Sequence, residues 1–318
     1  MTKLTYHFGY EIRPTAPYSF GLTIRKPAGW SLFTPFEVYG KSAVWTATHL
    51  HGVLTGIGLD SKGTTNKPRI GVRLFFKTRP DPALLNIMKK ELSHDIGADE
   101  DIGAFYGFAR KDRILKHTVD DLWGMHNTES SSIFPDAALA ILLQMAPMKR
   151  SNEMMSCLIG RYGELAEFDG KKIRAWPTPE RLAGRSAAEL ASTCKLGYRA
   201  KHLVNLAKRL REGFPTTEEL EGLRPEEAKA ILLELPGIGD YSADIINPHG
   251  GFPIDVWSAD IFGKLFYGRE PSNGRASIER IKKEGIRRWG AWSWMAFFYV
   301  VQDLENLSRK LETKLRIT

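Results

Sequence analysis

The stretch from Leu235 to Asp260, LPGIGDYSADIINPHGGFPIDVWSAD, constrains this chain more than any other. Before it, Pro225-Glu-Glu-Ala-Lys-Ala-Ile-Leu-Leu-Glu has helical spacing with a proline at its start. Leu-Pro-Gly-Ile-Gly then carries two glycines two apart, which permits a tight turn into a second helix. Such a hairpin presents backbone N–H groups at a helix N-terminus with no side chain in front of them, a site suited to phosphate. Eleven residues beyond Asp244 comes Asp255, behind the extended Phe252-Pro253-Ile254. It directly precedes a segment with Ile261, Phe262, Leu265 and Phe266 on one helical face. Taken alone, an Asp in that place reads as a helix N-cap.

The order and spacing of this run resemble the signature of the helix-hairpin-helix DNA glycosylases: a hairpin LPGxG, a helix, then a Gly/Pro-rich stretch ending in a catalytic Asp. By that resemblance Gly237, Ile238 and Gly239 clamp a DNA phosphate and Asp255 is the essential carboxylate. A non-catalytic DNA-binding hairpin is the competing reading, because LPGIG also serves such modules and a pure binder has no need of Asp255.

Other segments carry the resemblance from Trp123 to Val301. Ala140-Ile-Leu-Leu-Gln-Met-Ala-Pro-Met-Lys-Arg is similar to the family segment whose loop after the Gln inserts into DNA beside the flipped nucleotide. Met145 or Met148 would be the apolar wedge, with Lys149 and Arg150 meeting phosphates. Trp176-Pro-Thr-Pro-Glu-Arg-Leu-Ala and Leu196-Gly-Tyr-Arg-Ala-Lys-His-Leu resemble two further family segments. From these, Arg199 and Lys201, with Lys208, Arg209 and Arg211 behind them, are expected on the DNA backbone. Asp120 to Ser132 resembles the loop leading into the first helix of the glycosylase core, which brings Trp123, Met125 and His126 towards a base pocket. Trp294, in the last core helix, joins them by the same resemblance. Each of these large side chains also reads as core packing, and the methionines as helix-end packing.

The resemblance also implies a chemistry. A flipped base leaves through an oxocarbenium-like transition state, which a fixed carboxylate stabilises. Members that also cut the backbone carry a Lys four residues after the first hairpin Gly, where this chain has Tyr241. A tyrosine forms no imine, so a monofunctional glycosylase without AP-lyase activity is expected. Such an enzyme suits bases already prone to leave, above all alkylated purines such as 3-methyladenine, whose positive charge attracts aromatic faces such as Tyr241, Trp257, Trp123 and Trp294. Pro253-Ile254-Asp255-Val256 resembles instead the PVDV of 8-oxoguanine enzymes, which leaves oxidised or deaminated purines such as 8-oxoguanine and hypoxanthine open. Lys264 is the alternative imine-forming residue. Asp240 departs from the neutral or basic residue usual at its place, since its charge repels a nearby phosphate.

Residues 1 to about 80 are β in character. Tyr18 to Ile24, Ser42 to Leu50 and Arg69 to Phe76 are rich in β-branched and aromatic residues, separated by turn formers. His49 and His51 would then share one strand face, with no further ligand spaced to hold a metal. From Asp81 the spacing turns helical. The expected fold is α+β, an N-terminal antiparallel sheet domain (1–115) followed by an all-α helix-hairpin-helix body (116–318) of two helical subdomains with the DNA cleft between them. The sheet matches by layout the branch that includes 3-methyladenine glycosylase II and 8-oxoguanine glycosylase.

Composition sets the remaining bounds. A net charge of +8 and a pI near 9.3 suit a polyanionic partner, here double-stranded DNA containing a damaged base, engaged by a monomer. Two cysteines, Cys157 and Cys194, are too few for the four-thiolate iron–sulfur cluster of some family members or for a disulfide scaffold. A reducing, intracellular setting (cytoplasmic or nucleoid) is expected, with no cofactor beyond a structural monovalent cation at the hairpin. The longest apolar run, Trp294 to Val301, falls short of a membrane span.

Overall fold

The computed structural model describes residues 1–26, 36–128, 130, 132–269 and 274–315, and leaves out the side chain of Met148. The chain forms two compact units, 1–101 with 124–218, and 102–123 with 219–318. This division differs from a single boundary at residue 115.

The first unit holds two sheets. Strands β2 (Tyr6–Ile12), β3 (Val38–Tyr39), β4 (Ala43–Leu50), β5 (Val53–Ser61) and β6 (Ile70–Phe76) form an antiparallel sheet in the order β2-β6-β5-β4-β3. The two residues between β4 and β5, His51 and Gly52, both have positive φ (45° and 73°), as a tight hairpin matched to strand twist requires. A short β1 (Thr2–Lys3) pairs in parallel with β7 (Leu165–Phe168), which pairs with β8 (Lys171–Arg174). The period of two is visible in β6: Ile70, Val72, Leu74 and Phe76 join Met88 and Leu92 of the helix Pro82–Asp95 in one core. Phe75 turns the other way, into a second core with Phe168 and Ile173 of the small sheet.

Three expectations about this unit need correction. Tyr18 to Ile24 is not a strand: Phe20–Ile24 is a helix, capped where the Ser19 hydroxyl accepts from the Leu22 amide, and Tyr18 is buried with its hydroxyl donating to the Ile96 carbonyl at 2.8 Å. Local capping and burial outweigh β propensity there. His49 and His51 do not share a strand face, because β4 ends at Leu50. Each meets its own carboxylate, Glu164 at 3.5 Å and Glu91 at 3.3 Å. Finally, Cys157 and Cys194 form a disulfide across a Cα–Cα distance of 5.4 Å. It joins the helices Met148–Tyr162 and Ala187–Cys194, a proximity that no sequence spacing encodes.

The second unit is helical around an aromatic core. Phe252 meets Phe262 edge-on at 5.0 Å and Trp289 at 5.6 Å, and Phe266 meets Trp289 at 5.2 Å. The molecule is thus α+β, with an antiparallel sheet near its N-terminus and a helical body. No helix among the described residues is long and apolar enough to cross a membrane.

Candidate active site and nucleic-acid interface

In the second unit the helices Pro225–Leu232 and Asp240–Ile246 flank the hairpin. Leu235 and Ile238 are buried and anchor the turn from below, and Gly237 has φ +85°, a conformation that favours glycine. The Ile238 amide donates to the Leu235 carbonyl at 3.1 Å, so it closes the turn. Gly239 is the N-cap of the second helix, and a β-carbon there would meet nothing within 4 Å. The backbone at Gly239 is therefore open to a ligand.

Asp240 now has an explanation. It sits 57 % exposed at the start of the second helix, in ion pairs with Lys229 and Lys282. Asp244, one turn on and 4 % exposed, pairs with the same two ammonium groups, Lys229 at 2.6 Å. Burial opposes the charge of Asp240, but the two lysines outweigh it and hold its carboxyl below the ordinary value. Two cations thus offset two anions, and the hairpin does not present a bare negative charge to a phosphate.

The chain then runs through Gly250-Gly251-Phe252 to Asp255, and both glycines are required. A β-carbon at Gly250 would lie 2.6 Å from Cβ of Trp294, and one at Gly251 would lie 2.6 Å from Cγ of Asp244. The Phe252 ring packs against the helix Arg275–Trp289 at Gly285, where no side chain blocks it. These contacts fix the approach to Asp255, the N-cap of the helix Val256–Tyr267. Its Oδ1 accepts from the Ser258 amide at 2.8 Å and the Ser258 hydroxyl at 2.7 Å. Oδ2 has no hydrogen-bond partner among the described residues. Asp255 is therefore a helix cap and also holds out an open carboxylate oxygen.

Tyr241 lies close enough to feel that charge. Burial first, and the Asp255 carboxylate second, push its phenol above the ordinary value, so the hydroxyl stays protonated. Trp257, two residues past Asp255, is 40 % exposed. Trp294 stacks on Phe297 at 6.2 Å. Trp123 is stacked on Tyr106 at 4.5 Å with the Arg110 guanidinium 5.1 Å from its ring, so it is tied into the packing of this unit. Lys264 pairs with Asp260 at 2.9 Å. It lies nine positions after Asp255, about 13 Å along the helix axis.

The remaining expected residues belong to the first unit. Met145 follows the helix Ile133–Leu143 with φ 47° and is 79 % exposed, a conformation unusual for a non-glycine residue. The expected wedge at Met148 lies outside the described side chains. Arg199, expected on phosphate, is instead 9 % exposed and donates to the Gln144 carbonyl, which braces the Met145 turn. Arg150 likewise donates to the Lys195 carbonyl. Lys201 is exposed on the helix Arg199–Arg211. Met125 and His126 are fully buried in the core of this unit. His126 is held by Glu100 at 3.2 Å and the Pro17 carbonyl at 2.9 Å.

Sequence reasoning missed Ser258 and the two lysines. Asp255 and Ser258 form a capping box, and that Asp-x-x-Ser spacing before an apolar helix is the local signal by which Ser258 could have been found. Lys282, forty-two residues from Asp240, had no local signal. Among the described residues no three His, Cys, Asp or Glu side chains group to hold a metal ion.

No family model matches the chain. It is 24 % identical over 220 residues to a probable N-glycosylase/DNA lyase of Methanothermobacter thermautotrophicus, covering 62 % of this chain and 70 % of the relative. It is 22 % identical over 211 residues to the DNA-3-methyladenine glycosylase of Bacillus subtilis, covering 64 % and 67 %. The fold is similar to that of a 3-methyladenine DNA-glycosylase from Archaeoglobus fulgidus, with a TM-score of 0.74 and 19 % identity over 96 % of this chain and all of the other. An LPGxG hairpin, an Asp-capped helix behind a Gly-Gly-Phe-Pro approach, and these likenesses along most of the chain point one way: the chain is similar in sequence to curated DNA glycosylases and has the fold of a solved 3-methyladenine DNA-glycosylase.

Proposed function

We propose that the protein is a monofunctional DNA glycosylase of base excision repair that flips damaged purines and hydrolyses their N-glycosidic bond, with alkylated purines such as 3-methyladenine as its substrates. The observation that carries this reading is Asp255: one oxygen is fixed by Ser258, the other is open, and the protonated hydroxyl of Tyr241 stands nearby.

The chemistry follows from that arrangement. Flipping a base costs a few kcal/mol. Backbone amides at Gly239, the exposed ammonium of Lys201 and the projecting Met145 are the groups that would offset it. As the glycosidic bond stretches, positive charge grows on the sugar. Asp255, at the N-terminus of a helix whose dipole favours the anion, stabilises that charge and orients the attacking water through Oδ2. Tyr241 occupies the place of the lyase lysine, and Lys264 is paired far along the helix, so the backbone is left uncut. A cationic base suits the exposed face of Trp257. The monovalent cation implied at the hairpin would be held by backbone carbonyls and takes no part in these steps.

Oxidised purines are the second reading, favoured by the Pro253-Ile254-Asp255-Val256 sequence. The test is a panel of duplexes each holding one lesion, scored for alkali-labile abasic sites, with Asp255→Asn beside wild type. Release of 3-methyladenine by wild type and none by the variant, at equal DNA affinity, is expected. Cleavage of the 8-oxoguanine duplex with no alkyl-purine release replaces the substrate; an Asn variant as fast as wild type removes the mechanism.

A further inference from the structure

We propose that Ser258 is a positioning residue for base release, holding the Asp255 carboxylate in the rotation that presents Oδ2. This rests on the glycosylase reading above. The Ser258 oxygen already accepts the Asp255 backbone N–H at 2.8 Å. Its single hydroxyl hydrogen then has three oxygens within reach: Asp255 Oδ1 at 2.7 Å, and the Pro253 and Asp255 carbonyls at 3.5 Å each. The distances decide for the carboxylate, where the hydrogen bond is also charge-assisted. With the Ser258 amide on the same atom at 2.8 Å, Oδ1 has two donors and Oδ2 none among the described residues.

The first half of the capping box, Asp255 Oδ1 on the Ser258 amide, does not need the hydroxyl. An alanine at 258 would keep the amide that caps the helix and lose only the second donor on Oδ1 and the acceptor for the Asp255 amide. What the hydroxyl adds is a second point of attachment on one carboxylate oxygen, which resists rotation about the carboxylate bond and exchange of the two oxygens. Ser258 is buried, whereas its neighbours Val256 and Trp257 are exposed, so water has poor access to replace that donor. Burial also keeps Ser258 from touching a substrate, so its effect must pass through Asp255. For a carboxylate facing a developing cation, small misplacements are costly in rate.

The experiment measures single-turnover release of 3-methyladenine and 7-methylguanine from methylated duplex DNA, with the dissociation constant for the same duplex and the thermal midpoint of each variant. Ser258→Ala should slow release on the order of tenfold at unchanged affinity. Ser258→Cys, which keeps the volume but donates and accepts weakly, should slow it similarly. Ser258→Thr, which keeps the hydroxyl, should restore most of the rate. Ala and Cys variants as fast as wild type overturn the proposal. So does a Thr variant as slow as Cys at an unchanged midpoint. Asp255→Asn in the same panel separates the two levels: if it is active, the glycosylase mechanism fails; if wild type releases neither alkyl purine, that substrate fails and the same variants are compared on the 8-oxoguanine duplex; if Asp255→Asn is inactive while Ser258→Ala is fast, only the role of Ser258 fails.

Discussion

The ring of Phe252 lies so close to Gly285 that a β-carbon there would sit 2.1 Å from Cε1 of the ring. Two segments more than thirty residues apart are thus matched in shape, and the match lies three residues before Asp255. Gly285→Ala gains about 1 kcal/mol of helix propensity. The overlap works against it, since overpacking a rigid aromatic core costs about 1–3 kcal/mol. Overlap should win. A lower denaturant midpoint at unchanged slope is expected, together with slower base release.

The four charges around the hairpin should prove unequal. Asp240 is largely exposed, so Asp240→Asn should cost less than about 1 kcal/mol. Asp244 is buried between both lysines, and Asp244→Asn should cost about 2 kcal/mol or more. The pH dependence has a definite sign. The folded-state value of Asp240 is lowered from the ordinary 3.8, so its contribution is complete above that value and is lost as pH falls below it. Urea midpoints between pH 5 and about 2.5 should fall less steeply for Asp240→Asn than for wild type.

Asp303 behaves oppositely. Burial, only partly offset by the Asn306 amide, raises its carboxyl from 3.8 to about 7, with the Asp121 carboxylate adding to the rise. The folded protein therefore binds a proton that the unfolded chain has released, and stability falls as pH rises from about 4 towards 7. Asp303→Asn, neutral throughout, should match wild type near pH 4 and exceed it at pH 8. Equal urea midpoints at pH 8 would refute this.

Borohydride trapping tests the route without an imine. Wild type should give no covalent adduct with a lesion duplex. Tyr241→Lys places an amine beside Asp255 in the position that the lyase members use, and should yield a trapped adduct above the wild-type background.

Met145 is exposed and makes little packing, so Met145→Ala should leave the thermal midpoint within about 1 °C of wild type. If it is the wedge, base release should slow on the order of tenfold while affinity for undamaged duplex stays unchanged.

The second unit was more legible in the sequence than the first. Leu235 to Asp260 could be read because its main requirements are local: a glycine in the left-handed region at Gly237 and an acid one residue before an apolar helix. Capping was equally local, so the Asp255–Ser258 pair was available to a closer reading. By contrast, Lys282 reaching Asp240, Arg199 turning inward to Gln144, and the Cys157–Cys194 bond depend on tertiary proximity alone. Tyr18 to Ile24 misled for the converse reason: its residues favour strands, but a serine cap and a buried tyrosine made it a helix.

The two units are interleaved along the chain, with crossings after residues 101, 123 and 218. No single cut yields a whole unit: a fragment starting at 219 carries the hairpin, Asp255 and Ser258 but lacks the helices Gly103–Ala109 and Lys116–Asp121. Trp289 would then lose Asp112, and Tyr299 would lose Tyr106. A fragment that keeps every segment of the second unit must accordingly run from 102 through 318 and carry the intervening part of the first unit with it. During synthesis the helices Gly103–Ala109 and Lys116–Asp121 must wait for residues from 219 on before their unit can close.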